Sequence, residues 1–199
     1  MEIAASHPIS NGCADGADIL TKLEADEQSN VRLSDFAGLG GERRPVGKYN
    51  FPPLLHQIVK NITEVYGDVS VTSRLSVSLT GEFYVVFCAS IKEMSELRLE
   101  QVTENMILKW RDAIKDALRV RFKVDFAMEH LKKVACAYIG LMERRKLDSM
   151  ASKISNLEAQ LSVGKAEYCK ISEMSKIYID AADEFTGKAV SWGIFESSY

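Results

Sequence analysis

A chain of 199 residues, 46% of them hydrophobic, carries enough apolar side chain for one ordinary core with extensions, and too little for two full domains. A formal net charge of −3 excludes a protein that coats nucleic acid by charge alone, while leaving room for a local basic patch. Cys13, Cys88, Cys136 and Cys169 are scattered without a Cys-x-x-Cys pair, and His7, His56 and His130 stand at no zinc-ligand spacing, so reduced thiols and no metal or other cofactor are expected.

The opening MEIAASHPIS lacks the basic and apolar regions of a secretory signal, and the longest apolar run, FYVVFCAS, is too short to span a bilayer. The expectation is a soluble protein of the cytoplasm or nucleus. Residues 1–47 are rich in Gly, Ala, Ser, Asn and acidic side chains without a sustained period, and read as a disordered arm in which DILTKLEADEQ can form a transient helix. At its end GLGGERRPVGKYN imitates a phosphate-binding loop. Five residues rather than four separate Gly41 from Gly47, Tyr49 stands where Ser or Thr would bind the metal, and Pro45 lacks an N–H, so a flexible linker is expected.

A helical bundle is expected over residues 48–142. In FPPLLHQIVKNITEVYG, Pro52 and Pro53 suit a first helical turn, Leu54, Leu55, Ile58, Val59, Ile62 and Val65 fall on one stripe, and Gly67 stops the helix. His56 lies off that stripe, as a solvated residue. DVSVTSRLSVSLTG alternates like a strand but has no second strand to pair with, so it reads as a short helical turn and connector. Phe83, Tyr84, Val86, Phe87, Ile91 and Met94 make the next helix apolar on most faces, the pattern of a bundle centre, with Cys88 as core filler. Thr103 then caps a helix whose inward side carries Met106, Ile107, Trp110, Ala113, Ile114, Ala117 and Leu118.

After VRFK, Leu131, Val134, Tyr138 and Leu141 recur at alternating three and four residues, the spacing of a helix seam. The seam slips over Glu143–Asp148 and restarts with Leu147, Met150, Ile154, Leu157 and Leu161. A coiled-coil helix is therefore expected over 143–182, and those five residues are its candidate partner-binding set. Gly164 weakens the pattern, and Tyr168, Ile171, Met174 and Ile177 or Tyr178 continue it less regularly. Residues 183–199, with Val190, Trp192, Ile194 and Phe195, read as a tail that folds back or docks.

The stretches YNFPPLLHQIVKNITEVYGDV, EFYVVFCASIKEM and ILKWRDAIKDALRVRFKVDFAMEHLKKV together resemble the plant phospholipase-like proteins of the PEARLI type. The likeness covers half to two-thirds of the chain, and Asp125–Phe126 departs from the family's usual acidic-Trp pair. It implies a plant source and a helical domain extended by a coiled coil. The family name also raises the question of lipid hydrolysis. Ala189-Val190-Ser191-Trp192-Gly193 lacks the first Gly of a serine-hydrolase elbow, and no His follows to activate Ser191. His130-Leu131-Lys132 begins a phospholipase D signature, but Ala137 stands where its Asp belongs. Catalytic residues are accordingly expected to be absent.

Arg111, Lys115 and Arg119, four apart on one helix, form a candidate anion-binding stripe for phospholipid headgroups or nucleic acid, although Asp112, Asp116 and Asp125 are interleaved as on a solvated face. The sequence thus reads as an all-α protein, a small helical bundle continuing into a coiled-coil helix. Its expected function is non-catalytic association through that helix's seam, with the partner helix left open between a second copy, a different protein and the chain's own C-terminal part. The alternative is a peripheral binder of anionic surfaces.

Overall fold

The computed structural model describes residues 12–26 and 28–188. Among these the fold is all-α, with helices α1 (Gly12–Glu24), α2 (His56–Tyr66), α3 (Val77–Glu96), α4 (Glu104–Arg119) and α5 (Asp125–Phe185), and a short hairpin of β1 (Arg44–Val46) and β2 (Tyr49–Phe51). The chain divides into two compact units between Arg144 and Arg145, and α5 supplies residues to both.

The core lies in the first unit and is organised around α3. This helix starts where the Ser76 hydroxyl accepts from the Leu79 N–H, and it buries Tyr84, Val85, Phe87, Cys88 and Ala89 on successive faces. Helix α4, capped by Thr103 through the Met106 N–H, packs on it with Ile107, Trp110, Ala113, Ile114 and Ala117. Leu55, in the turn before α2, and Val59 and Ile62 of α2 face the same core, whereas Leu54 and Val65 are exposed, so the buried stripe is narrower than its sequence period implies. Val65 sits in the last turn, next to the Gly67 exit. Gly67 takes a φ of 73° there and returns its N–H to the Thr63 carbonyl at 3.0 Å. The early part of α5 closes the unit with Ala127, Leu131 and Ala135. Across the surface, the Tyr66 and Phe126 rings stack with centroids 3.6 Å apart.

Three expectations change. The linker GLGGERRPVGKYN holds a β-hairpin in which Val46 pairs with Tyr49 around a Gly47-Lys48 turn. Gly47 has a φ of 58° while Lys48 stays at negative φ, the combination of a type II′ turn, so the Gly-Lys pair serves chain reversal. Tyr49 and Phe51 point inward from β2 and meet Tyr84 edge to face at 5.8 and 5.2 Å between centroids. Gly81 of α3 lies against the Tyr49 ring, where a Cβ would come within 3.4 Å of it, at the near edge of ordinary contact. Second, the His56 Nε2–H donates to the Phe51 carbonyl at 3.2 Å, so this residue pins β2 to α2 instead of standing free in solvent.

Third, residues 1–47 are not an unstructured arm over their described length. Residues 1–11 lie outside the described residues. Beyond them α1 buries Ile19 and Leu23, and the following segment buries Phe36 and Leu39 in the same core. Few apolar residues are spread through this stretch, but Ile19, Leu23, Phe36 and Leu39 reach buried sites in the core, while Leu20 stays exposed.

Candidate functional site

The second unit carries the candidate partner-binding residues. From Leu147 to Lys188 every described side chain is exposed except Ser175. Leu147, Met150, Ile154, Leu157 and Leu161 are each between 55% and 67% exposed, on a helix whose other positions there are mostly Ser, Asn, Lys, Glu and Gln. Single exposed apolar residues are common on proteins, but a contiguous stripe at heptad spacing is the surface that helices bury against one another.

The stripe is longer than the sequence reading made it. Helix α5 runs unbroken through Gly164 to Phe185, so the three-four alternation continues through Gly164, Tyr168, Ile171, Ser175, Tyr178, Ala182 and Phe185. Met174 and Ile177 fall beside this register. The apparent irregularity came from following the largest side chains. Gly164, Ser175 and Ala182 hold seam positions with small ones.

A 3.5-residue period kept over more than five heptads has a geometric consequence. On a straight lone helix the stripe would rotate by about 20° per heptad, about 100° in all, and would serve no single flat surface. Two supercoiled helices keep it facing inward. The earlier seam of Leu131, Val134, Tyr138 and Leu141 is out of phase with it, since four residues after Leu141 stands Arg145 and the stripe restarts only at Leu147. This slip coincides with the division between the two units at Arg144 and Arg145. The early seam packs inside the first unit, with Leu131 fully buried and Val134 and Tyr138 against its core.

The candidate anion-binding stripe has a different occupation. Arg111, only 5% exposed, donates to the Lys22 carbonyl and to Asp112 Oδ1, the latter at 2.9 Å. Lys115 Nζ donates to the carbonyls of Glu24, at 3.1 Å, and Ala25. Arg119 pairs with Asp26 Oδ1 at 2.6 Å and Asp116 Oδ1 at 2.8 Å. The C-terminal carbonyls of α1 are therefore capped by cations from α4, where the helix dipole is negative. Burial pulls the Lys115 pKa down, with the neighbouring Arg111 charge acting in the same sense. Bonding to Arg119 holds the Asp26 carboxyl below its ordinary range. The three cations already have anions and carbonyls within the chain, contacts that a ligand on this face would have to displace. A sequence period registers spacing, whereas carbonyl oxygens about 90 residues away leave no mark on it.

The incomplete catalytic motifs gain nothing from the geometry. Ser191 lies outside the described residues. His130 is exposed, Leu131 beside it is core, and Lys132 Nζ pairs with Glu24 at 3.1 Å. Lys48, of the phosphate-loop imitation, is bound to Asp68 at 3.0 Å and lies over the Tyr49 ring. Burial pushes the Asp68 carboxyl up, but bonds from the Ser70 hydroxyl, Lys48 and the Ser70 amide outweigh it and leave its pKa lowered. Next to this pair a cavity of about 340 Å³ is walled by Val46, Tyr49, Phe51, Val59 and Tyr84. The Tyr84 hydroxyl is buried and makes no hydrogen bond of ordinary geometry among the described residues, and burial raises its pKa. Among the described residues no three His, Cys, Asp or Glu side chains converge as metal ligands would, and no helix is long and apolar enough to cross a membrane.

Glu93 is an arrangement the sequence did not announce. Its two oxygens accept from Trp110 Nε1 at 2.6 Å and Lys109 Nζ at 2.8 Å, tying α3 to α4. Compared with known protein families, curated proteins and solved structures, the chain gives no significant match.

Proposed function

We propose that this chain is a non-catalytic association module, in which the first unit is a folded helical body and the second unit binds a partner helix through Leu147, Met150, Ile154, Leu157 and Leu161. The observation that carries this reading is the exposed heptad stripe on α5, which has the period of an interhelical seam and no cover among the described residues. The resemblance to plant phospholipase-like proteins supports a helical domain with a coiled-coil extension and, through the family, a plant source. On this reading the protein works in the cytoplasm or nucleus and takes no cofactor. A binder of phospholipid or nucleic acid through Arg111, Lys115 and Arg119 would first have to break the contacts those cations make with α1.

The test is capture of a tagged chain from cells that also make an untagged copy. Wild type is expected to retain the untagged copy or another protein that the double variant Ile154→Glu, Leu157→Glu loses. Identical bound proteins for the two chains would overturn the reading. The variant's circular dichroism shows whether the helical body is intact.

A further inference from the structure

We propose that the partner of the second unit is another copy of this chain, paired parallel and in register as a two-stranded coiled coil. The proposal rests on the association reading above and names the occupant of its seam.

With Leu147 at position a and Met150 at position d, the flanking g and e positions follow from the unbroken helix. In a parallel pair each g residue faces the e residue five positions later on the other strand. Lys153 at g then faces Glu158 of the second copy, and the two-fold axis repeats the pair. Gln160 faces Lys165, Glu167 faces Ser172, and Met174 meets Ile179 in apolar contact. No like charges meet. Lys153 and Glu158 are five apart on their own helix, a spacing that does not bring side chains together within one strand, so this pairing is available only between strands. Both are exposed.

The antiparallel alternative has a merit of its own. A two-fold between Gly164 and Tyr168 matches small seam residues with large ones, Gly164 with Tyr168, Ser175 with Leu157 and Ala182 with Met150. It also sets Lys165 against Lys165 and Glu167 against Glu167 and forms no opposite-charge pair. Flanking charges select partner and orientation in such seams, so they favour the parallel arrangement. The seam from Leu147 to Phe185 spans about 58 Å at 1.5 Å per residue, long enough for a stable pair.

The experiment is sedimentation velocity on the full chain over a concentration range, for wild type, Lys153→Glu, Glu158→Lys and the chain with both changes. Wild type is expected to be a dimer. Each single reversal turns two attractive pairs into repulsive ones and raises the dimer dissociation constant about tenfold, and the double change, which restores opposite charges, returns it toward wild type. Three results overturn the proposal: a wild-type monomer at every concentration, a dimer indifferent to both single changes, or a double variant weaker than either single. The first leaves association with a different helix standing. A dimer that also survives Ile154→Glu with Leu157→Glu overturns the seam itself along with its occupant.

Discussion

Arg111 on α4 donates to the carbonyl oxygen of Lys22 on α1, across 89 residues of sequence. With Lys115 on Glu24 and Ala25, it fastens the C-terminus of α1 to the body. Replacing Arg111 by Ala leaves Asp112 without its partner and the Lys22 carbonyl uncapped, and should cost about 3 kcal/mol. Urea unfolding measures the loss, and amide exchange should quicken over Ile19–Leu23. Unchanged exchange there would show that α1 is held by its apolar contacts alone.

Glu93 supports a second prediction. Glu93→Ala buries the Trp110 indole N–H without an acceptor and should destabilise by about 1–3 kcal/mol. Glu93→Gln keeps an acceptor oxygen and should lose less. Equal losses in the two urea transitions would mean that the negative charge, shared with Lys109, matters more than the indole bond.

Asp68 makes one contact of the hairpin pH-dependent. Its pKa is lowered in the fold, so the stabilisation it gives is complete above its ordinary value of 3.8 and is lost as pH falls through the lower folded value. Lys48→Ala should move the Asp68 midpoint upward in a carboxyl-resolved NMR titration. A midpoint that stays in place would assign the lowering to the Ser70 bonds alone.

The thiols differ by burial. Cys88 is fully buried and its pKa is raised by desolvation, while Cys136 and Cys169 are exposed. Alkylation of the native chain should modify Cys136 and Cys169 and reach Cys88 only after unfolding. Site-resolved mass spectrometry checks this, and native labelling of Cys88 at a comparable rate would contradict the packing of α3.

Those residues also mark what the sequence made legible. Helices α2 to α5 could be read because each repeats an apolar period over several turns, and the Thr103 cap and Gly67 stop act within a few residues of themselves. The hairpin escaped because strands of three residues are too short to show a period, and its Gly-Lys turn shares composition with flexible linkers. Helix α1 was legible only as a transient helix in DILTKLEADEQ, because Ile19 and Leu23 gain their burial from α4 and other distant segments, and its capping cations look from sequence like a solvated face. The candidate seam was legible at Leu147–Leu161, where large residues mark it. Past Gly164 it depends on helix continuity, which small seam residues do not advertise.

The most direct measurement is light scattering after size exclusion on the full chain and on its Leu157→Glu variant, over a range of concentrations. A paired seam gives the wild type a mass of twice the 22.2 kDa chain, and the variant is expected at the single-chain mass with its helical body intact by circular dichroism. The same mass for both proteins would contradict the pairing.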